Sequence, residues 1–230
     1  MDWRNKPAFR NGSTLCQLDS TCIAPSRWNR PDECELECDR FQRLKASIDA
    51  WGGNLQPIQM RHETMPGFDR EAAVAAGHRF TSEIVFGHSR HRACLELGLP
   101  VLVMSDRMTD VQAFQQSAME LQGDGRWRPW RLARVLCSAS DSGLFLSLRK
   151  LAATLSMDPT EAWLLFKIGR LPESVRLAYG NLELTPIHAK KLVKEYSKNV
   201  DLFKANSTGQ SFRNCKTAAA VLDALKREGA

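Results

Sequence analysis

Hydrophobic and polar positions in this 230-residue chain follow strand and helix periods in turn up to about Asp106, and helix periods alone beyond it. Leu15 to Ile23 alternates like a strand, and Gln56 to Arg61 (QPIQMR) alternates again just after a turn. Between them Leu36, Phe41, Leu44, Ile48 and Trp51 recur at three to five residues. That spacing predicts a helix over Glu33 to Trp51, closed by Gly52-Gly53. Thr81 to Phe86 reads as a strand and Ala93 to Leu97 as a short helix, stopped by Gly98-Leu99-Pro100. Val101 to Met104 is a continuous apolar run that suits a buried strand. Ala24-Pro25-Ser26 and Asn29-Arg30-Pro31-Asp32 read as turns. Residues 1 to 13 read as a loose arm, and His62 to Arg79 as a loop or short helical excursion.

Past Asp106, Thr109 or Asp110 is placed to cap a helix over Val111 to Leu121, which Gly123-Asp124-Gly125 breaks. The basic, aromatic stretch Arg126 to Cys137 becomes helical after Pro129. Leu148, Leu151, Ala152 and Leu155 share one helical face. Ser156-Met157-Asp158 makes a turn, and Pro159 opens a second helix carrying Ala162, Leu165 and Ile168. Two short helices joined this way form a helix-turn-helix pattern, shared by any packed helix hairpin. Pro172-Glu173-Ser174 caps a further helix from Val175, and Leu184-Thr185-Pro186 leads into the basic helix Ile187 to Tyr196. Residues 197 to 210 read as a polar linker, and Cys215 to Arg227 as a last short helix. The pattern predicts an α+β chain: a small mixed sheet with helices packed on it, then an all-helical part.

Charge sharpens this outline. Thirty-two Lys and Arg against 26 Asp and Glu give +6, a balance that favours a polyanionic partner. The excess lies between Arg126 and Lys198, whereas Asp32 to Asp39 is acidic. No apolar run approaches a membrane span and no export signal opens the chain, so a cytoplasmic protein is expected. Seven scattered cysteines do not suggest a disulfide framework. Cys34 and Cys38 lack a second pair at zinc-finger spacing.

Two stretches carry candidate chemistry. In Thr81 to Ala93 (TSEIVFGHSRHRA) a strand ends at Gly87 and runs into a helix start with Arg90 and Arg92. Free N–H groups at a helix N-terminus suit an anion, and glycine lets the backbone approach a phosphate. Arginine adds forked, charge-assisted hydrogen bonds. The same residues would also serve an ordinary strand, turn and helix with surface arginines. In Ser147 to Leu171, Thr160, Glu161 and Trp163 lie early in the second helix, where side chains would face a DNA groove. Arg149, Lys150, Lys167 and Arg170 flank it where phosphates would be met.

Taken in order, these pieces resemble the ParB/KorB family of plasmid and chromosome partition proteins. The matching stretches are Ile23-Ala24-Pro25-Ser26, Asn29-Arg30-Pro31, Leu44 to Ile58, Glu83 to Ala93 and Gly98-Leu99-Pro100. Ala118 to Gln122, the helix-turn-helix, Gly169 to Glu173 and Leu184 to Ala189 continue the series. The resemblance covers about residues 17 to 195. It implies a ParB/sulfiredoxin-like nucleotide-binding domain at 14–107 and a helical DNA-binding domain at 108–196, with the helix-turn-helix at about 147–170. The arm at 1–13 and a linker and short helix at 197–230 complete the expected organisation.

It further implies that CTP is held by Gly87, His88, Ser89, Arg90, Arg92, Glu120 and Arg126, with Mg²⁺ at Glu120. Weak CTPase activity, without assigned catalytic residues, comes with that set. Two departures stand out: His88 and Ser89 replace a Glu and an Arg of the family pattern, and Leu121 replaces an Asn. An alkyl side chain offers Mg²⁺ no oxygen, so these departures weigh against hydrolysis more than against binding. The implied partners are double-stranded DNA, a second copy of the chain and a ParA-type ATPase, on a nucleoid or plasmid. The output would be DNA partition, transcriptional repression or both. The rival from the same fold is a nuclease or nucleotide hydrolase, with Glu63, Glu83, Asp106 and Glu120 holding a metal.

Overall fold

A computed structural model describes residues 14–29, 39–62, 82–122, 129–179, 182, 184–209 and 215–227. The arm at 1–13, the Cys34/Cys38 pair, Glu63 and Arg126 lie outside the described residues. Two compact units divide the chain, 1–120 and 121–230.

The first unit is built on five strands: β1 (Thr14–Leu18), β2 (Ile23–Ala24), β3 (Ile58–His62), β4 (Ser82–Phe86) and β5 (Val101–Asp106). Their order is β1-β5-β3-β4-β2. β1 runs antiparallel to β5 and β3 antiparallel to β4, whereas the β3–β5 and β2–β4 pairs are parallel, giving the mixed sheet the pattern predicts. The strand expected from Leu15 to Ile23 is interrupted. Asp19 accepts the Thr21 N–H at 2.8 Å and the Thr21 hydroxyl at 2.7 Å. This local bonding competes with the ladder and turns Ser20–Cys22 into a 3₁₀ turn.

Helices α1 (Asp39–Trp51) and α2 (His88–Leu97) pack together. Their Phe41, Ile48, Ala93 and Cys94 meet Ile23, Ile58, Met60, Ile84, Val101 and Val103 in one core. Arg61, between the core residues along β3, carries the opposite face toward α3 (Asp110–Gln122). There the Trp28 ring meets Phe114 edge-on at 6.2 Å, and Asn29 Nδ2 donates to Ser117 Oγ at 3.2 Å. The expected boundary at 107/108 precedes α3, most of which belongs to the first unit.

The regular elements described in the second unit are all helices. They are α4 (Pro129–Asp141), α5 (Leu148–Thr154), α6 (Pro159–Gly169), α7 (Glu173–Tyr179), α8 (Pro186–Lys198), α9 (Val200–Gly209) and α10 (Ala218–Lys226). α4 and α6 cross closely, α5 and α8 also pack on α6, and α9 packs on α7 and α10. Residues 197–209 are therefore helical and packed where a linker is expected. α9 anchors itself with the fully buried Phe203, and Asn206 Nδ2 donates to the Leu225 and Arg227 carbonyls at 2.8 Å each, closing the end of α10. One buried aromatic and one buried amide are too few to register as a helical stripe in a polar sequence.

Candidate functional site

At the corner between β4 and α2 the helix begins earlier than its apolar residues suggest. Gly87 is the N-cap, with φ 96°, and no side chain caps it. A helix start that no side chain caps is the arrangement an anion uses. A Cβ on Gly87 would stand 2.7 Å from Ile58 Cγ2, so both the left-handed backbone and the close strand require glycine here.

The residues around this corner are partly engaged by the fold. His88 turns inward and is buried, its Nε2 accepting the Ser26 N–H at 3.3 Å. It ties the corner to the loop after β2. Ser89 is half-buried. Arg90 donates to the Pro57 carbonyl at 2.9 Å and the Gln56 carbonyl at 3.3 Å, bracing the start of β3. Burial lowers its pKa from the ordinary guanidinium value, and the Glu120 carboxylate partly offsets this. Arg92 is exposed and pairs with Glu96 at 2.7 Å, one helical turn on. Glu120 is exposed near the end of α3, whereas Leu121 is buried.

The metal-holding set of the enzyme rival is not assembled among the described residues, where no group of three His, Cys, Asp or Glu side chains is placed to bind an ion. Glu83 is taken up elsewhere. Buried on β4, it accepts from Arg61 Nε at 2.9 Å and Nη2 at 2.6 Å, and from the Arg27 N–H at 2.8 Å. Arg61, only 1% exposed, also pairs with Asp110 and lies 5.3 Å from the centre of the Trp28 ring. In the sequence Arg61 has the look of an outward strand position. Only the helix laid over it makes it interior.

In the second unit α5, the turn and α6 are fixed by local bonds. Ser147 accepts the Lys150 N–H at 3.2 Å to start α5. Asp158 accepts the Thr160 and Glu161 N–H groups at 2.8 and 3.1 Å to start α6, and Pro159 occupies the first turn. The Glu161 and Thr160 N–H groups hold the Asp158 carboxyl below its ordinary pKa. Ser156, at φ 51°, is the one non-glycine residue with positive φ among those described. Its conformation explains why glycine is common in such turns.

Ala162, Leu164, Leu165 and Ile168 bury one side of α6. Thr160, Trp163 and Lys167 occupy the exposed side, followed at the C-cap by the exposed Arg170, at intervals of three and four residues, with Glu161 exposed beside them. Trp163 is 50% exposed and Lys167 Nζ lies 5.4 Å from its ring centre. Arg170 pairs with Asp141 and stacks over Phe166 at 4.8 Å. Arg149 and Lys150 are exposed on the first turn of α5. The structure thus sets an aromatic and cationic row on the outer side of α6 and two further cations on its partner helix.

Gly169 is what lets α6 sit so close to α4. A Cβ there would be 2.6 Å from both the Ala133 carbonyl oxygen and Cys137 Sγ. Burial raises that thiol's pKa to about 11, so it is a packing group at neutral pH.

No family model matches the chain, and no curated protein matches it. Among solved structures it is similar to two of the C-terminally truncated chromosome-partitioning protein ParB from Caulobacter crescentus. The one complexed with CTP-gamma-S is 17% identical, with 81% of this chain and 98% of that chain covered and a TM-score of 0.36. The one complexed to the centromeric parS site is 18% identical, with 92% and 100% covered and a TM-score of 0.44. The nucleotide and the DNA in those crystals are that protein's ligands.

Proposed function

We propose that this chain is a ParB-like, sequence-specific DNA-binding protein of a plasmid or other mobile element. The observation that carries the reading is the row Thr160, Trp163, Lys167 and Arg170, exposed on a helix whose other side is locked against α4. Recognition helices present such a row to base edges, with cations meeting the phosphates. Two copies would read the two halves of a palindromic site, and a ParA-type ATPase is the partner for a role in partition. Repression would follow if the site overlapped a promoter. No described helix is long and apolar enough to cross a membrane, which is compatible with a place on the nucleoid or plasmid.

The first unit is read as the nucleotide-responsive part. The uncapped N-terminus of α2 would receive phosphates, with Arg90 beside it. Glu120, whose carboxylate acts on Arg90, would share a Mg²⁺ ion with phosphate oxygens, since Mg²⁺ needs few protein ligands when a nucleotide supplies the rest. Leu121 adds no oxygen, and hydrolysis is not part of the proposal.

Recovery of bound DNA fragments from a plasmid library, followed by affinity measurements on the enriched site and on random duplex, tests the DNA reading. Thr160→Ala and Trp163→Ala should relax the preference. Arg149→Ala with Lys150→Ala should weaken binding to every duplex. If neither pair alters binding to any DNA, the assignment of α6 as a reading helix is wrong. Calorimetric titration with CTP, ATP and GTP tests the first unit: heat with CTP that Arg90→Ala removes supports it, and the absence of heat with all three overturns it.

A further inference from the structure

We propose that the cleft between α8 and α10 is a second phosphate-binding surface for duplex DNA, seating the backbone beside the groove that α6 enters. The proposal rests on the DNA reading above and adds residues outside the helix-turn-helix. The cleft has a cavity of about 470 Å³ into which α8 brings Lys191 and Lys194 and α10 brings Lys226. All three lysines are exposed. Two carboxylates share the lining, Glu195 and Asp223. Glu195 is already paired with Lys198 at 3.5 Å, which leaves Asp223 against three ammonium groups. His188 also lines the cleft, its Nδ1 lying 3.0 Å from Thr185 Oγ1 in the cap of α8.

Position decides what this charge would meet. Lys190, next to Lys191, lies close enough to Asp158 at the start of α6 to act on its carboxylate. From Lys190 to Lys194 is one turn, about 6 Å along the axis at 1.5 Å per residue. The basic edge of α8 therefore runs from the leading end of α6 into the cleft. A major groove is about 12 Å wide, so with α6 in the groove the strand bordering it passes over this edge. Lysines suit such an edge, because compact charges on flexible stems attract phosphates without reading bases. A free phosphate compound offers the same oxygens and is the competing occupant.

The test is the variant Lys191→Gln/Lys194→Gln/Lys226→Gln of the full chain, its fold checked by thermal melting. Each phosphate contact contributes about 0.9 to the slope of log affinity against log salt. The slope should fall by about 2 to 3 on both the preferred and a random duplex, with the ratio between them unchanged. An unchanged slope overturns the proposal. Thr160→Ala/Trp163→Ala, measured alongside, separates the two readings. If it relaxes preference while the lysine variant leaves the slope intact, the cleft alone fails. If neither variant changes binding to any duplex, the DNA reading falls and the cleft with it. Pyrophosphate and CTP are titrated without DNA as a last arm. Heat that the lysine variant abolishes, with no change in salt slope, assigns the cleft to free phosphates and overturns the backbone reading.

Discussion

The start of α2 and the outer side of α6 both combine a close-packing glycine with cationic side chains, yet the fold uses their charges differently. At the α2 corner Arg90 is bonded to two carbonyls at the head of β3, His88 is interior, and Arg92 is matched by Glu96. On α6 the glycine does the packing, against Ala133 and Cys137, while Trp163 and Lys167 remain on the surface. Arg170 lies between these cases, exposed but paired with Asp141. A cation that already serves the fold is a weaker guide to a ligand than one that does not. Removing Arg90 would disturb the sheet as well as any nucleotide. Removing Trp163 disturbs little besides what binds there.

The largest effect is expected from the inner layer of the first unit. Glu83→Ala leaves Arg61, 1% exposed, without its main counter-charge. Loss of one member of a buried pair costs about 3–5 kcal/mol, read as a drop in unfolding free energy by chemical denaturation. The double variant Arg61→Met/Glu83→Leu should cost clearly less, because neither charge is then left alone. Gly169→Ala comes next, in the second unit. The new methyl meets a backbone oxygen at 2.6 Å, and overpacking of this kind costs about 1–3 kcal/mol. It should weaken DNA binding on every sequence alike, because it shifts α6 as a body.

His91 sharpens the corner's side of the contrast. Its Nε2 lies 2.8 Å from the Ser20 carbonyl oxygen and its N–H donates to the Gly87 carbonyl at 3.1 Å, so the side chain sits one turn from the N-cap. Burial depresses its pKa, the Ser20 carbonyl acts in the opposite sense, and neighbouring Arg92 depresses it further. Below the ordinary histidine pKa, about 6.5, the unfolded chain then binds more protons than the folded one, so stability falls as pH falls. Melting temperature measured from about pH 7.5 downward should decline below about pH 6.5 in the wild type and less steeply in His91→Gln. Equal profiles would mean that His91 does not couple the corner to pH.

Much of this was legible in the sequence because it rests on periodicity and turn chemistry. The β4 strand, Gly98 after α2, Pro159 at the head of α6 and Thr185 before α8 are local signals, and each appears where its pattern puts it. What was not legible depends on partners distant in sequence. Arg61 and Gln59 alternate with Ile58 and Met60 as outward residues would, and only the packing of α3 makes that face interior. His88 reads as a loop residue until the loop after β2 supplies Ser26. α9 is anchored by the buried Phe203 and Asn206 in a run with few apolar residues. The cationic cleft joins Lys191 and Lys194 to Lys226, more than thirty residues on, and no spacing rule links them.

The smallest expected effect on stability is also the most discriminating. Trp163 is half exposed, with its ring against Lys167 rather than in the core. Substitutions at such positions usually change stability by no more than about 0.5 kcal/mol. An exposed cation–π contact adds about 0.5–1 kcal/mol. Trp163→Ala should therefore melt within a few degrees of the wild type while losing discrimination between the preferred and a random duplex. A large indole on the water side of a helix that has its own core face is retained at a cost in solubility, and a binding partner is the economical reason for it. If the variant unfolded readily and its surviving folded fraction discriminated as before, Trp163 would be a structural residue. The contrast between α6 and the α2 corner would then disappear, since both would carry side chains already committed to the fold.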